Sequence, residues 1–122
     1  MNQVKIVVDE IPPSNNKYMG NSHSHHIYRQ DKQKWEWLIK ANLKPNQIPK
    51  EPFEKVAVDI TYYFPTKHRR DPDNYSGKFI MDSLTNNGII CDDSFDEVKE
   101  LNLSGEYDKD NPRTEIVIKR LD

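Results

Sequence analysis

The sequence VAVDITYYF, residues 56–64, is the most informative stretch of the chain about its fold. Every second residue of this stretch, beginning with Val56, is apolar, whereas Asp59 and Thr61 lie between the apolar positions. Alternation with a period of two is typical of a β-strand that turns one face to a core. Pro65 follows directly and ends the pattern, because proline lacks the amide hydrogen that a strand ladder uses. Residues 56–64 are therefore predicted to form a strand of a sheet.

Apolar periodicity predicts further strands and helices on both sides of this stretch. The strands are expected at residues 4–9, 98–107 and 114–121, and the helices at residues 29–42 and 73–86. The polar residues 17–26 are predicted to form a loop. The order β-α-β-α-β-β predicts an α/β (α+β) fold, in which two main helices pack on a mixed β-sheet. A chain of 122 residues fits a single domain, residues 1–122.

The two predicted helices differ in the sequence features that indicate them. The first has an apolar stripe at Trp35, Leu38 and Ile39. Asp73 or Asn74 is expected to cap the second helix. Gly77, near the start of the second helix, weakens it and indicates a close approach of neighbouring atoms.

The composition excludes several classes of protein. Hydrophobic residues make up 34% of the chain and charged residues 31%, which is typical of a soluble, folded protein. No apolar run approaches the roughly 20 residues that a membrane helix needs, and residues 1–10 lack the apolar core of a signal peptide. Cys91 is the only cysteine, so no disulfide framework is expected. These features predict a cytoplasmic protein with no membrane association.

The charge distribution is more informative than the net charge. The formal net charge of −2 argues against a protein that binds nucleic acid through charge alone. However, the basic block Lys67-His68-Arg69-Arg70 directly precedes Asp71 and Asp73. A cation bound by these acids would leave the region less negative than the sequence indicates. A nucleic-acid substrate is therefore compatible with the composition.

Two pairs of aspartates are candidate ligands of a metal ion. Asp71 and Asp73 flank Pro72, which favours an extended backbone at Asp71, so both carboxylates are expected on the same side of the segment. Asp92 and Asp93 follow the second helix, and the return from that helix is long enough to bring them near the first pair. Mg²⁺ prefers such oxygen ligands. Taken alone, either pair is more simply explained as a solvated acidic loop.

Lys78 is predicted to lie in the first turns of the second helix. A lysine there can stabilise the charge that develops on a phosphoryl group in a transition state. A solvated helix lysine is the alternative, and it is the simpler explanation when Lys78 is considered without its neighbours.

Two blocks, which cover about a quarter of the chain, together form a recognisable pattern. They are Ile11-Pro12-Pro13-Ser14-Asn15-Asn16 and the series Arg69-Arg70-Asp71-x-Asp73-Asn74, Lys78, Asp82-Ser83-Leu84-Thr85, Gly88 and Asp92-Asp93-Ser94. This pattern resembles the RusA family of phage-type Holliday junction resolvases. The resemblance implies a homodimeric crossover junction endodeoxyribonuclease of mixed α/β fold, acting in DNA recombination and repair. It also implies symmetric cutting of four-way junctions and dependence on Mg²⁺, with Mn²⁺ as a substitute.

The resemblance also implies roles for individual residues. The expected metal ligands are Asp71, Asp73 and Asp93, which are also the catalytic aspartates, with Asp92 as an outer ligand. Lys78 corresponds to a catalytic lysine, although it lies five residues after Asp73 instead of the family's usual four. We interpret this difference as a one-residue insertion, absorbed near Gly77.

DNA is expected to contact the basic block and three asparagines. The predicted contacts are Lys67, His68, Arg69, Arg70, Asn15, Asn16 and Asn74. Because the basic side chains would meet phosphates, binding is predicted to weaken steeply with salt. A twofold-symmetric dimer would place two sites at the two cuts that a four-way junction requires.

Three other features have simpler explanations. The segment Ser22-His23-Ser24-His25-His26 is consistent with a metal site. We predict a polar loop instead, because no cysteine or well-spaced partner lies nearby. Trp37 is predicted to be partly buried, with a dimer surface or base stacking as alternatives. Cys91 is predicted to be a small core residue.

Other classes of function fit the same residues. A flap or other structure-specific metal nuclease would share the acidic cluster and differ in substrate preference. A non-catalytic branched-DNA-binding protein would bind junctions without Mg²⁺ and never cut them. A calcium-binding loop is disfavoured, because residues 71–82 lack the alternating oxygen ligands of an EF-hand.

Overall fold

A computed structural model of the chain describes residues 2–19 and 24–121. Its main elements within those ranges are β1 (Gln3–Val8), α1 (Ser24–Ala41), β2 (Val56–Phe64), α2 (Lys78–Asn86), β3 (Val98–Tyr107) and β4 (Arg113–Arg120). Short 3₁₀ helices lie at Asn15–Tyr18, Pro45–Gln47 and Pro72–Asn74. The predicted order β-α-β-α-β-β and the α+β fold class are confirmed.

The four strands form one mixed sheet with the order β1-β4-β2-β3. β4 pairs antiparallel with both β1 and β2, and β3 pairs parallel with β2. Strands β1, β2 and β3 therefore run in the same direction, and their carboxyl ends lie at the same edge of the sheet. In open sheets that contain parallel strands, this edge is where ligands bind.

Alternation along the strands puts one face of the sheet into the core. In β2, Val56, Val58 and Ile60 are fully buried, as the sequence pattern predicts. The core cluster joins this face to side chains from both helices, including Trp35 of α1 and Leu84 of α2. Full burial of such a side chain stabilises the fold by about 1.5–3 kcal/mol. The helices are therefore held on the sheet by their buried apolar side chains.

The first helix begins earlier than the sequence indicates. α1 starts at Ser24 instead of residue 29, and the predicted loop at 17–26 is wrong at both of its ends, because residues 15–18 form a 3₁₀ helix. The physical reason is aromatic packing. The Tyr28 ring lies 5.1 Å from the Tyr18 ring and 5.0 Å from the Phe79 ring, between centroids. These contacts stabilise a first turn that is polar in sequence. Residues 20–23 lie outside the described part of the chain.

The second helix begins later than the sequence indicates. α2 starts at Lys78, and its N-cap is Gly77, not Asp73 or Asn74. Gly77 has φ +80°, a left-handed backbone conformation that is unfavourable for residues with a Cβ. A Cβ at this position would lie only 2.8 Å from Ile60 Cδ1. The close approach predicted at Gly77 is confirmed, and it separates the acidic turn from the helix.

Two predictions of burial are wrong. Cys91 is exposed, because it follows the buried Ile90, whose backbone bridges to Phe53, and successive side chains of an extended segment point in opposite directions. Trp37 is 66% exposed, since it lies off the helix face that buries Trp35.

No helix within the described ranges is both long and apolar enough to cross a membrane.

Replacing Gly77 with alanine is expected to lower the free energy of unfolding by roughly 2–4 kcal/mol. The left-handed backbone and the contact with Ile60 both contribute to this loss. Gly88 is the matched control, because it has φ +75° and nothing within 4 Å of an added Cβ. Gly88→Ala is therefore expected to cost only about 1–2 kcal/mol. Urea denaturation measures both variants, and equal losses would show that the Ile60 contact contributes nothing.

Candidate functional site

The candidate site is built from two segments that leave the same edge of the sheet. Residues 9–16 follow β1, and residues 65–77 follow β2. The side-chain amide of Asn15 joins them. Its Nδ2 donates to the Asp73 carbonyl oxygen at 3.0 Å and to Ser76 Oγ at 3.3 Å. The strand topology therefore brings together the two blocks of sequence that carried the family resemblance.

Asp71 and Asp73 lie on a single turn. Asp71 is extended, as expected for a residue before proline, but Asp73 lies within the 3₁₀ helix Pro72–Asn74. The predicted extended geometry is therefore confirmed for Asp71 only. The Asn74 amide donates to the Asp71 carbonyl at 3.0 Å, so Asn74 helps to close the turn. Both aspartates are exposed, and Arg69 Nε lies 3.3 Å from Asp71 Oδ1.

A hydrogen bond from a buried tyrosine, Tyr62, stabilises the end of this turn. The Tyr62 hydroxyl donates to the Tyr75 carbonyl oxygen at 3.0 Å. Burial, and to a lesser extent the neighbouring Tyr75, raises the pKa of Tyr62 far above its ordinary value. The hydroxyl therefore keeps its proton over the physiological range and remains a donor to the turn.

Lys78 and Asp93 both lie near another acidic residue, Asp82 of α2. Lys78 Nζ lies 3.4 Å from Asp82 Oδ2, and Lys32 Nζ of α1 lies 3.6 Å from the same oxygen. Asp93, which is exposed, is near enough to Asp82 for that carboxyl group to help raise its pKa. The side chain of Asp82 is only 16% exposed. Asp82 therefore links both helices to the segment that follows α2.

The pKa values of this group reflect its crowding. Partial burial, and then the hydrogen bonds with Asp82 and Asp92, raise the pKa of Asp93. Burial acts to lower the pKa of Lys78, but the Asp82 carboxylate outweighs it, with smaller effects from Tyr28 and Asp93, and the net pKa is raised. Lys78 is therefore a fixed positive charge at neutral pH, not a base.

The basic block divides into exposed and anchored side chains. Lys67, His68 and Arg69 are exposed, and Lys67 Nζ lies 4.9 Å from the centre of the Tyr107 ring. Arg70 instead stacks on Phe64, with its Cζ 4.2 Å from the ring centre. The first three residues are accessible to a phosphate backbone, whereas Arg70 is already engaged.

The remaining candidate ligands and DNA contacts are all exposed. Asn16 is exposed beside Asn15. Asp92 is exposed, and its Oδ1 accepts a hydrogen bond from the Asp93 amide at 2.8 Å. His25 and His26 lie on α1 and contact Arg29 and Gln30, one turn further along, at 2.9 Å and 3.2 Å.

The acidic residues have the donor chemistry of a divalent-cation site but are not gathered into one. Among residues 2–19 and 24–121, no group of three or more histidine, cysteine, aspartate or glutamate side chains is arranged to hold a metal ion. Mg²⁺ needs only one or two carboxylates together with water and phosphate oxygens, and the exposed carboxylates of Asp71, Asp73 and Asp93 are free to supply them. The residues therefore fit a divalent cation.

Asp82 is the residue that the sequence analysis did not select. It was part of the quoted pattern but received no role. Its spacing of four residues from Lys78 places the two side chains on one face of a helix, and that spacing was the available signal. Its contacts with Lys32 and Asp93 depend on tertiary packing.

Comparison with protein families identifies one family for this chain. The model of the family described as Endodeoxyribonuclease RusA matches residues 10–119, nearly the whole chain. The chain belongs to the RusA endodeoxyribonuclease family. It is therefore an endodeoxyribonuclease, a hydrolase that acts on DNA phosphodiester bonds. RusA enzymes resolve Holliday junctions, which makes branched DNA the substrate class, and they generally depend on a divalent metal. No curated protein matches the chain.

Asn15→Ala is expected to reduce the rate of cleavage at saturating junction DNA by about tenfold, because the acidic turn loses its tether and misplacement of reacting groups is costly. Junction affinity should change little. Asn16→Ala is the matched control, since Asn16 is exposed and is expected to affect affinity instead. Single-turnover kinetics and gel-shift titrations separate the two effects. A loss of affinity alone in Asn15→Ala would show that Asn15 is a DNA contact and not a tether.

Proposed function

We propose that this chain resolves four-way DNA junctions by paired, symmetric, Mg²⁺-dependent hydrolysis. The observation that best supports the proposal is the order in which the chain brings these acidic residues and a lysine into the site. The acidic turn at Asp71 and Asp73 leads within five residues to Lys78. Lys78 Nζ lies 3.4 Å from Asp82 Oδ2 and is near enough to Asp93 for that carboxylate to help raise its pKa. Acidic ligands and a fixed positive charge are the two components that phosphodiester hydrolysis requires.

We assign the metal ligands to the predicted aspartates. Asp71, Asp73 and Asp93 would hold Mg²⁺, with Asp92 as an outer ligand, and Mn²⁺ would substitute. When bound, the cation supplies a deprotonated water at neutral pH and neutralises charge on the phosphate. The chain's own contribution is to present exposed carboxylates on a turn that Asn15 and Tyr62 hold in place.

Lys78 supplies the charge that the transition state needs. Its Nζ is protonated at neutral pH, as for an ordinary lysine, and the nearby Asp82 carboxylate offsets the effect of burial and raises its pKa further. An ammonium group held in this way stabilises the negative charge that develops on the phosphoryl or leaving oxygen. Asp82 is a positioning residue in this proposal, because it acts through Lys78 and does not touch the DNA.

The surface beside the turn supplies the DNA contacts. Lys67, His68 and Arg69 are exposed there. These side chains, together with Asn16 and Asn74, would track the phosphates near the branch point, whereas Asn15 and Arg70 are engaged within the protein. Neutralising phosphates releases counterions, so affinity should fall steeply with salt. A twofold-symmetric homodimer would present two such surfaces to the two cuts.

The central test is cleavage of a labelled synthetic four-way junction. Wild-type protein with Mg²⁺ is expected to make paired symmetric nicks, leaving 5′-phosphate ends, and EDTA should abolish them. Asp73→Asn should still bind the junction, but its cleavage rate should fall by at least about a hundredfold, because a metal ligand is lost. A linear duplex and a flap of matched sequence are the control substrates.

Each outcome of this test is decisive. Cleavage of the junction by Asp73→Asn at the wild-type rate would overturn the assignment of the acidic turn. A preference for the flap would indicate the alternative, a different structure-specific nuclease. Binding without cleavage under any metal would indicate a branched-DNA-binding protein.

Asp82→Asn is expected to lower the maximal cleavage rate about 10- to 100-fold, with the KM for junction DNA unchanged. Lys78 would lose its anchoring charge, and misplacement of a reacting group has costs of this order. Asp59→Asn is the matched control, because Asp59 also pairs with a lysine, at 2.9 Å from Lys119 Nζ, but lies on β2 away from the site. Asp82→Glu, which retains the charge, should recover part of the rate. Equal losses in Asp82→Asn and Asp59→Asn would contradict the positioning role.

A further inference from the structure

A small aromatic pocket opens to solvent beside Asp71. Its volume is about 70 Å³. Its lining comes from the end of β2, the acidic turn and β3: Tyr62, Phe64, Arg70, Asp71, Pro72, Tyr75, Leu103, Ser104 and Gly105. By the space that a buried water needs, this volume holds roughly five water molecules. The pocket is therefore too small for a peptide but large enough to take a flat ring.

Three aromatic rings form the rigid part of the pocket. The Phe64 and Tyr75 rings meet edge to face with centroids 5.2 Å apart, and the Tyr62 ring lies 5.7 Å from Tyr75. Tyr62 and Phe64 are buried, at 3% and 9% exposure, whereas Tyr75 is partly exposed. Such clustered rings lose little entropy on binding a flat partner, because their orientations are already fixed by packing.

Arg70 closes one side of the pocket in a fixed orientation. Its guanidinium stacks on Phe64, and its Nη1 and Nη2 donate to the Thr66 carbonyl and hydroxyl oxygens at 3.2 Å and 2.8 Å. A third hydrogen bond goes to the His68 carbonyl at 3.1 Å. Guanidinium planes and aromatic rings are the surfaces on which unstacked bases are bound.

The position of the pocket determines what reaches it. Asp71 lines the pocket and is also one of the proposed metal ligands. A phosphate bound at that metal would carry its own nucleotide, and the base of that nucleotide or its neighbour would reach the aromatic rings. Where the arms of a junction are unstacked at the branch point, the bases at the crossover lack a stacking neighbour on one side, so the cost of withdrawing one is reduced.

We propose that this pocket binds one unstacked nucleobase of the DNA, adjacent to the cleaved phosphate. The inference rests on the proposed function, since the DNA is delivered by the metal site. It identifies Tyr75 as the wall that stacks on the base and Gly105 as the position that keeps the pocket open. Base preference at the cut would then arise at this pocket.

Gly105 offers a conservative way to narrow the pocket. A Cβ there would lie 3.4 Å from Phe64 Cε2, which is ordinary contact and should be tolerated by the fold. Tyr75→Ala removes a wall instead. Glu106→Ala is the matched control, because Glu106 is the next residue of the same strand and does not line the pocket.

The test compares intact junctions with junctions that carry one abasic residue at successive positions around the cut. For wild-type protein and Glu106→Ala, one abasic position should slow cleavage about tenfold or more, as expected when a base loses an aromatic stacking partner. For Tyr75→Ala and Gly105→Ala, the intact junction should already be cut slowly, and the abasic residue should add little. Fluorescence of 2-aminopurine at that position, measured with Ca²⁺ in place of Mg²⁺ so that a divalent cation is present, should be quenched by wild type and not by the two pocket variants.

The outcomes separate this inference from the proposed function. Equal cleavage of intact and abasic junctions by wild type would overturn the base pocket and leave the resolvase intact. An abasic effect of the same size in both pocket variants would also overturn it, because the base would be bound elsewhere. If wild type cut no junction, the proposed function would fail, and the fluorescence result would still decide whether the pocket takes a base.

Discussion

The left-handed backbone of Gly77, pressed against Ile60, is the constraint on which the site depends. An added Cβ would lie 2.8 Å from Ile60 Cδ1, so the central strand excludes a side chain at this point. Because Gly77 departs from helical geometry, the acidic turn at 72–74 keeps its own 3₁₀ form and α2 begins at Lys78. One buried contact therefore sets both the end of the acidic turn and the position of the lysine.

The strands could be predicted closely because their signal is local. Alternation along β2 gave its bounds at 56–64, and β3 was likewise expected at 98–107. The start of α1 could not be predicted in this way. Its first turn is polar, and it is stabilised by contacts of Tyr28 with Tyr18 and Phe79, which lie in other elements. When tertiary packing stabilises the end of a helix, the sequence of that end has too little apolar periodicity to predict where the helix begins.

The site residues divide in a similar way. Asp71, Asp73, Asp93 and Lys78 could be selected from the family pattern, because the pattern is a matter of residue type and spacing. The roles of Asn15 and Asp82 could not, since they depend on which segments the sheet brings together. Arg70 shows the same limit, because its sequence neighbours indicate a phosphate contact, whereas the structure stacks it on Phe64.

The place of β4 in the sheet has a consequence for folding. Within the described residues, β1 pairs only with β4, and Gln3 lies opposite Lys119. β4 also fills the space between the parallel strands β1 and β2. The sheet therefore cannot close until its last strand is available, although β2 and β3 can pair before then. Closing so long a loop is slow because its entropy cost precedes the gain from pairing. During synthesis on the ribosome, β1 must remain without its partner strand until residues 113–120 have been made.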